Sequence, residues 1–451
     1  MVLRVALLVL MTLVVKSRTE HWSHLSDMDN DTLSDCVEEL KWRCPVLKVR
    51  LRRSSLVRCC RSMDDWYQDM AHVELPTDYL LPHDFDYIMK LTQCQDVYSC
   101  LSNVPLRSRI PRQTSVGRAV RQEIRLMSDE ARLRFFNAVN RMKADRRDGM
   151  SRYDLFVTYH TSSRAPAAHF GASFLPWHRE YLRQFEIALR SYDPQVSIPY
   201  WDSTLDQPLP NPAHSVLFSE LFLGNAEGSL VTGPFRRWST AFGEPVERHC
   251  GRSGSLFSIA DVAYVLRQST YDQLTFCVDP FFETVRIRGC LFKGGCDGRS
   301  FQMHGAVHEW VGGHMAIIPM SPNDPVFLLL HSFIDSVWEL FRQSRQTPQQ
   351  RESSYPPDAS SCSDMHGANG QMLPFLLRNI DGLSNSYTDQ FYVYDSLPSC
   401  SPRTPTCRSP YVFCDVRQYV CVSKVVPGGN CQGFEGTDIC YHSTCVRGTC
   451  V

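Results

Sequence analysis

Apolar and polar positions follow a helical period after residue 118. Apolar side chains recur there every three or four residues in two runs: Val120, Ile124 and Met127, and then Leu133, Phe136, Val139 and Met142. Ser128 stands between the runs and is followed by two acidic residues, which is typical of a helix start. The pattern therefore predicts two helices, one on each side of Ser128.

Two more helices are predicted around a loop. Residues 153–160 are rich in apolar side chains, whereas residues 162–174 are rich in alanine, glycine and serine and indicate a loop. Pro176 follows and favours the first turn of a long helix that continues to Ser191. Residues 198–202 then predict a buried turn.

The second half of the chain predicts three helices. One covers residues 259–274, and a second covers residues 301–311 and ends at the glycine pair 312–313, because glycine commonly stops a helix. The Asp-Pro pair 324–325 supplies a cap and an early proline for a third helix over residues 326–343.

Other segments lack this periodicity. Residues 203–258 are rich in proline, glycine and serine and predict long surface loops, and residues 391–394 predict a final strand. The chain is therefore expected to be mainly α, with long loops, and 451 residues can bury one large core with appendages.

Nineteen cysteines fall into three groups, which divide the chain. Six lie within residues 36–100, four within 250–296 and nine within 362–450, while residues 101–249 contain none. Disulfides persist in oxidising compartments, so this cysteine content indicates an exported protein. The stretch without cysteine must be held by its own core.

The tail has a regular cysteine spacing. Cys400, Cys407, Cys414 and Cys421 recur every seven residues. A coiled coil is excluded by Pro402, Pro405, Pro410 and Pro427. A small disulfide-rich module is the better interpretation. The predicted organisation is a signal peptide (1–18), a cysteine-containing N-terminal extension (19–117), a histidine-bearing domain (118–395) and a cysteine-rich C-terminal module (396–451).

The N-terminus predicts export. Arg4 precedes an apolar run over residues 5–15, and polar residues follow at once, as in a secretory signal. The run is too short to span a bilayer, and no later apolar run reaches about 18 residues. We therefore expect a secreted, extracellular protein without a membrane partner. A net charge of −1 argues against a nucleic-acid partner.

Six of the fifteen histidines form two groups of three: His160, His169 and His178, and His304, His308 and His331. His304 and His308 are one helical turn apart, so both rings can reach one metal ion. His331 lies in a run of apolar residues, where an unpartnered polar ring would be costly. The other nine are interpreted as ordinary core or surface residues: His21, His24, His72, His83, His214, His249, His314, His366 and His442.

Two neighbours of these histidines affect the interpretation. A zinc protease would carry a glutamate directly after the first histidine of such a helix, but this chain has Gly305 there, so a zinc protease is disfavoured. Asp335 lies one turn beyond His331, and we expect its carboxylate to fix the tautomer of that ring.

All six candidate ligands are neutral imidazoles, without cysteine or carboxylate among them. Imidazole suits copper, zinc, iron and nickel, and three neutral nitrogens can hold copper in both oxidation states. The spacing therefore predicts a metal centre. Two adjacent copper sites are the leading interpretation, and the other metals remain open at this point.

Longer motifs around the histidines resemble a known family. Residues 169–186 (HFGASFLPWHREYLRQFE) and 324–335 (DPVFLLLHSFID) resemble the two motifs of the tyrosinases and molluscan-type haemocyanins, the type-3 copper proteins. Residues 199–202 and 310–313 are similar to further stretches of that family. The signal peptide and cysteine-rich flanks are most similar to secreted tyrosinase-like proteins of molluscan shell-forming tissue.

The resemblance implies a specific site. It implies a four-helix bundle that holds two copper ions, with O2 as co-substrate. His160, His169 and His178 would bind copper A, and His304, His308 and His331 would bind copper B. Phe327 matches an aromatic residue that stacks near the copper pair. Tyr392 and Tyr394 match a Tyr-x-Tyr pattern that closes the catalytic domain.

The sequence departs from the family pattern at two positions. Ala167 occupies the place of a cysteine that many members link to a histidine, so we expect no such thioether. Gly305 occupies the place of an asparagine that is thought to help deprotonate monophenols. This difference favours oxidation of diphenols over hydroxylation of monophenols.

The resemblance implies a secreted dicopper phenol oxidase that makes ortho-quinones for matrix cross-linking or pigmentation, as in shell or cuticle. Its substrates would be small phenols or the tyrosine and DOPA side chains of proteins, with an association to extracellular matrix. The alternatives are a haemocyanin-like oxygen-binding protein and a structural matrix protein with a silent copper site. The tail would either shield the copper pocket or bind matrix.

Overall fold

The computed structural model describes residues 118–274, 303–357 and 364–451, apart from positions 148, 170 and 376. The predicted signal peptide and the N-terminal extension, with its six cysteines, lie outside the described residues. Within the described part, no helix combines the length and the apolar composition that crossing a membrane requires.

Helices form the frame of the molecule, so the predicted helix-rich fold is confirmed. In chain order they are α1 (Asp129–Ala144), α2 (Arg152–Tyr159), α3 (Phe174–Arg190), α4 (Ile259–Leu266), α5 (Met303–Val311), α6 (Val326–Arg345) and α7 (Pro348–Ser353). Short 3-10 turns connect several of them, including Gly313–Ala316 and Ile318–Asn323 between α5 and α6.

The strands are short and occur in pairs. They are β1 (Ala119–Arg121), β2 (Arg146–Arg147), β3 (Met150–Ser151), β4 (Glu227–Ser229), β5 (Glu247–His249), β6 (Gln371–Met372), β7 (Leu377–Arg378), β8 (Tyr392–Tyr394), β9 (Val412–Asp415), β10 (Val420–Ser423), β11 (Cys445–Val446) and β12 (Thr449–Cys450). Strands β1 and β8 pair in parallel, and the other five pairs are antiparallel.

The prediction of a helix before Ser128 is wrong. The segment forms β1, with Val120 opposite Val393 of β8. Val120 is exposed while its two neighbours are buried, which is the period of a strand. Pairing with a distant strand overrides the local apolar spacing. The helix start at Ser128 is confirmed, because its side chain accepts a hydrogen bond from the Ala131 amide.

Helices α3 and α6 pack together at the centre, and every residue of α3 is buried. Buried charges need partners, and α3 finds them on α6. Arg179 Nε donates to Asp335 Oδ1 at 2.6 Å, and Arg179 Nη2 donates to Glu339 Oε2 at 2.9 Å. Arg342 Nη1 donates to the same Glu339 oxygen at 2.7 Å. The two helices are therefore joined by paired charges as well as by apolar packing.

Strand β1 extends this arrangement. Arg121 donates to both carboxylate oxygens of Glu186 on α3, at 3.2 and 3.0 Å. Tyr392 and Tyr394 of β8 each donate a hydrogen bond to Asp335 Oδ2 at 2.6 Å. We call the connected set the buried charge network; it comprises Arg121, Arg179, Arg342, Glu186, Asp335 and Glu339. It ties both ends of the histidine-bearing region to α3 and α6.

The predicted boundaries of α5 and α6 are confirmed at the features that the sequence showed. Gly312 follows α5 with φ of 68°, a left-handed conformation that glycine adopts without strain. Asp324 Oδ1 accepts the Val326 amide at 3.0 Å at the start of α6. The predicted helix at Pro176 is also confirmed, although α3 begins two residues earlier.

Two predictions in the middle of the chain need correction. Residues 203–258 are not only surface loops, because their apolar side chains fill the core beside α1 and α5: Val216, Leu217, Phe218, Phe222, Leu223, Phe235 and Trp238 are all buried. The helix predicted to reach residue 274 ends at Leu266, and a separate 3-10 turn, Tyr271–Gln273, follows. A sequence rich in turn residues can still bury its isolated aromatic anchors.

The C-terminal module is built on disulfides, as predicted. The pairs are Cys400–Cys414, Cys407–Cys421, Cys431–Cys445 and Cys440–Cys450. The hairpin of β9 and β10 is its largest regular element, with four residues in each strand. Among the described cysteines, Cys250 is the one outside a disulfide, and it is buried.

The module packs against the side of α1 and the segment after residue 209. Tyr411 donates to Asp129 Oδ1 at 2.8 Å, and Ser409 Oγ donates to the Arg125 carbonyl at 2.5 Å. The Val216 amide donates to the Lys424 carbonyl at 2.8 Å. None of these contacts involves a histidine of the two groups, and they give no support to the idea that the module shields those histidines.

Candidate metal centre

The two histidine groups lie on four helices and one loop. His160 caps the end of α2, and His178 lies in the first turns of α3. His169 lies in the irregular segment between these helices. His304 and His308 are on α5, and His331 is on α6. The fold thus brings together residues that are up to 171 positions apart.

Each group converges on one point. In both groups, one ligand nitrogen from each of the three rings lies within 4.8 Å of those of the other two. His160 Nε2 lies 3.2 Å from His178 Nε2, and His308 Nε2 lies 3.1 Å from His331 Nε2. The structure therefore assembles both trios that the sequence predicted as candidate ligands.

The two trios are adjacent. The ring of His178 in the first trio stacks on the ring of His331 in the second, with centroids 4.3 Å apart and an interplanar angle of 12°. The centroids of His160 and His331 are 6.4 Å apart. Two metal ions held by these trios would be close neighbours, as a dinuclear centre requires.

Backbone carbonyl groups orient three of the rings. His160 Nδ1 faces the Ile318 carbonyl at 2.9 Å, His178 Nδ1 faces the Phe174 carbonyl at 2.9 Å, and His308 Nδ1 faces the Met315 carbonyl at 2.8 Å. A carbonyl only accepts, so each Nδ1 must carry the proton. Each Nε2 is then left with a lone pair directed into the centre.

Burial keeps the rings neutral. It lowers the pKa of His160, His169, His178 and His331 well below the usual value for histidine, and it lowers the pKa of His308 to about 4. Neighbouring histidines of the centre lower the first four further. Neutral imidazole is the form that binds metal ions.

The first trio gives a direct test of whether a metal ion fits. His160 Nε2 and His178 Nε2 are 3.2 Å apart, and both are unprotonated when their Nδ1 atoms donate to carbonyls. Two lone pairs at that distance repel each other, and a cation between them removes the repulsion. The donor set is entirely imidazole, which suits copper. The residues present therefore fit a copper ion.

Asp335 does not act as the sequence predicted. Its two oxygens accept hydrogen bonds from Arg179, Tyr392 and Tyr394. Among the described residues, His331 Nδ1 is buried without a hydrogen-bond partner. The one-turn spacing along α6 places the carboxylate beside α3 and β8, where buried arginine and tyrosine donors bind it. The expected fixing of the His331 tautomer by Asp335 is therefore wrong.

Aromatic side chains enclose the centre. The ring centroid of Phe327 lies 4.1 Å from that of His331 and 4.9 Å from that of His160, so it contacts both trios. Phe174 lies 4.5 Å from both His178 and His304. Sequence reasoning named Phe327 but missed Phe174, whose position four residues before His178 on the same helix was the available signal.

Other functional neighbours gave no sequence signal. The carbonyls of Ile318 and Met315 come from the 3-10 turns between α5 and α6, and backbone acceptors carry no residue-type signature. His366, interpreted as an ordinary histidine, lies beside the loop that carries His169. His314, which was also interpreted as an ordinary histidine, lies outside both trios, and its Nδ1 accepts a hydrogen bond from the Glu247 amide. A Cβ built at Gly305 would meet nothing within 4 Å.

Comparisons with known proteins point to one family. The family model for the common central domain of tyrosinase matches residues 150–344. A tyrosinase-like protein of Pinctada maxima is 31% identical over 401 residues, covering 84% of this chain and 80% of that protein. A tyrosinase of Streptomyces lincolnensis is 35% identical over 254 residues, covering 52% of this chain and 85% of that enzyme.

A tyrosinase-like protein of Caenorhabditis elegans is 39% identical over 343 residues, which cover 74% of this chain and 48% of that protein. A second relative, from Margaritifera margaritifera, is also covered over only 55% of its length, so the chain spans about half of these two proteins. Among solved structures, a polyphenol oxidase variant from Thermothelomyces thermophila aligns with a TM-score of 0.47 at 19% identity, covering 69% of this chain and 97% of that one.

Proposed function

Because the chain belongs to the tyrosinase family, we propose that it is a copper-dependent oxidase that converts phenols or ortho-diphenols to ortho-quinones with O2. His160, His169 and His178 would hold one copper ion, and His304, His308 and His331 would hold the second. The observation that carries this proposal is the convergence of two neutral histidine trios whose rings stack on each other through His178 and His331.

The copper pair, when bound, supplies the redox chemistry that O2 activation requires. The chain's own residues supply geometry and a dry environment. The carbonyls of Ile318, Phe174 and Met315 orient three rings, and Phe327 covers both trios. We propose that α2, α3, α5 and α6 form the four-helix bundle of a type-3 copper domain. The buried charge network would keep α3 and α6 in register.

The activity test is steady oxygen uptake with a catechol by copper-loaded protein. We expect sustained uptake, and we expect its loss in His331→Ala, which removes one ligand. Ser336→Ala is a matched control, since this buried hydroxyl donates to the Phe333 carbonyl on the same helix and touches neither trio. Copper-loaded wild type that consumes no oxygen would contradict the enzyme assignment and favour a structural protein with a silent site.

An oxygen-binding role of haemocyanin type would use the same ligands. It differs in outcome, because a carrier binds O2 reversibly without sustained consumption. We favour the enzyme on the likeness to the tyrosinase of Streptomyces lincolnensis. Reversible oxygenation without turnover of catechol would favour the carrier.

The substrate class is proposed from position 305. A glycine there offers no side chain to accept a proton from a bound phenol, so oxidation of diphenols is expected to exceed hydroxylation of monophenols. A Cβ added at Gly305 would meet nothing within 4 Å among the described residues, so the first atom of an asparagine side chain fits there. We expect Gly305→Asn to gain activity on tyrosine relative to DOPA. Ready hydroxylation of tyrosine by the wild type would show that Gly305 does not limit the reaction.

The setting is proposed as extracellular. Residues 1–18 would be a signal peptide and residues 19–117 the cysteine-containing N-terminal extension. Residues 118–395 would be the catalytic domain and residues 396–451 the disulfide-rich C-terminal module. Small phenols or the tyrosine and DOPA side chains of matrix proteins would be substrates, with no nucleic-acid or membrane partner. We propose a role in an extracellular matrix such as shell or cuticle, and the high cysteine content, which is typical of exported proteins, supports this setting. Detection of the protein in culture medium after expression with its own N-terminus tests export.

A further inference from the structure

The loop that carries His169 has little regular structure of its own. Residues 161–173 contain turns and bends between α2 and α3, whereas the other five candidate ligands lie on helices or at a helix end. A side chain on an irregular loop is positioned by tertiary contacts rather than by a continuous backbone ladder. The groups that pack on this loop therefore decide where the His169 ring is held.

His366 packs on this loop from a distant segment of the chain, as does Tyr271, whose hydroxyl donates to the Ala172 carbonyl. His366 is 1% exposed, and its ring lies directly over Gly171. A Cβ at residue 171 would lie 2.2 Å from His366 Nδ1, so only glycine allows the ring to approach this closely. The same Nδ1 atom lies 2.7 Å from Ser173 Oγ.

The direction of each hydrogen bond in this cluster follows from counting protons. Ser173 Oγ is bonded to both the Ala167 carbonyl and His366 Nδ1. The carbonyl can only accept, so the serine hydroxyl donates to Ala167 and must accept from His366. Burial lowers the pKa of His366 to about 4, so the ring is neutral and its one N–H is on Nδ1. The chain of hydrogen bonds thus spans the loop on both sides of His169.

His366 is itself held firmly. Tyr355 donates a hydrogen bond to the His366 carbonyl at 2.7 Å. The side-chain amide of Asn379 donates to the carbonyls of Met365 and Gly367, at 2.7 and 2.9 Å. The residues on both sides of His366 are therefore fixed to a second segment of the chain. Because the His366 backbone is fixed, the hydrogen bond from its ring can restrain the loop.

We propose that His366 is a positioning residue for His169: it acts through Ser173 and Gly171 to fix the loop that presents this ring to the first trio. This inference rests on the proposed copper site. It assigns a role to a histidine that lies outside both trios. Loss of His366 should therefore weaken the binding of only one of the two copper ions, the one held by the first trio.

The test compares copper release from four purified, copper-loaded variants by following transfer of copper to a chelator. His366→Leu removes the N–H donor and keeps a buried apolar side chain. His366→Asn keeps an N–H close to the position of Nδ1. Ser173→Ala removes the hydroxyl that links His366 to the Ala167 carbonyl. Ser336→Ala is the control for loss of a buried hydroxyl elsewhere.

We expect His366→Leu and Ser173→Ala each to release one of the two copper ions about tenfold faster than wild type, the lower end of the range for residues that support a ligand. The second copper ion should leave at the wild-type rate. His366→Asn should restore slow release, and Ser336→Ala should match wild type. Equal acceleration of both copper ions would show general destabilisation and overturn the proposal, as would unchanged release.

A second measurement does not depend on copper. The amides of Ala168 and Phe174 donate to the carbonyls of Ala165 and Gly171 within the loop, so their hydrogen exchange reports its order. In the metal-free protein, His366→Leu should speed exchange of these amides several-fold and leave helix α6 unchanged. If wild type bound no copper, the proposed function would fail, while this exchange result would still decide the role of His366. Unchanged exchange would overturn it.

Discussion

The histidine-bearing region and the C-terminal module are held together by different means. Residues 118–249 contain no cysteine, and α3 and α6 are joined by apolar packing and the buried charge network. The module, by contrast, has four disulfides within 51 residues and regular strands of at most four residues. The large region can bury enough surface to hold itself, and the small one needs covalent cross-links.

The two regions should be destabilised by different kinds of change. A buried ion pair is sensitive to loss of one partner, because the remaining charge is left unpaired in a medium of low polarity. A disulfide-held module is insensitive to such a change but depends on oxidation. Mutations in each region should therefore leave the other largely intact, and the size of each effect should follow from its mechanism.

The largest effect is expected from Arg179→Met. This change leaves Asp335 and Glu339 with fewer partners in a fully buried position. We expect a loss of about 3–5 kcal/mol in the free energy of unfolding, measured by urea denaturation. Arg378→Met is the matched control, because it breaks an exposed ion pair with Asp381 and should have a much smaller effect on the free energy of unfolding. Equal losses in the two variants would contradict the assigned role of the network.

The next effect is expected from the double change of Cys431 and Cys445 to serine. Their disulfide closes a loop of 14 residues, for which the chain-entropy model gives about 3 kcal/mol. We expect faster proteolysis of the module under native conditions with copper content unchanged. Loss of copper in this variant would show that the two regions do not unfold independently.

Acid should lower the folding stability of the histidine-bearing region by protonating carboxylates of the buried charge network. Burial alone would raise the pKa of Asp335 and of Glu339, but the adjacent Arg179 reverses this and leaves both below their usual values. Lowered carboxyl pKa values stabilise the folded state above the unfolded values of about 4, and this stabilisation is lost as pH falls through the folded values. The urea concentration at the midpoint of unfolding should therefore decrease as the pH is lowered below about 4. A midpoint independent of pH down to pH 3 would contradict this.

The smallest effect is expected at the contact between the two regions. Tyr411→Phe removes the hydrogen bond that the hydroxyl donates to Asp129 and the one that it accepts from Arg132. It keeps the ring against Phe222, with the two ring centroids 4.8 Å apart. We expect a loss of about 1 kcal/mol or less, since Asp129 is largely exposed. Thermal unfolding measures it. A loss as large as that of Arg179→Met would mean that the module supports the whole fold.

The local features of the site could be predicted from the sequence because they depend on neighbouring residues. Helix starts and stops such as Ser128, Gly312 and Asp324 are local, and so is the one-turn spacing of His304 and His308. The pairing of β1 with β8 could not be predicted, because Val120 and Val393 meet only in the folded chain. The hydrogen-bond donors of Asp335, which are Arg179, Tyr392 and Tyr394, could not be predicted either, because they come from distant segments.

Some parts of the site have no sequence signature at all. The carbonyl acceptors that orient the rings belong to the backbone of Ile318, Phe174 and Met315, and any residue type could supply them. The sequence predicts an ordinary core or surface residue at His366, because the contact with Gly171 joins segments that are nearly 200 residues apart. The disulfide pairing in the module likewise required the structure.

The central claim is that two neutral histidine trios hold two copper ions close together, and copper content combined with electron paramagnetic resonance tests it most directly. In fully loaded, oxidised protein we predict two copper ions per chain and almost no cupric signal, because two cupric ions held this close together would couple magnetically. One copper ion or fewer per chain, or a signal that accounts for all the copper as isolated ions, would contradict it.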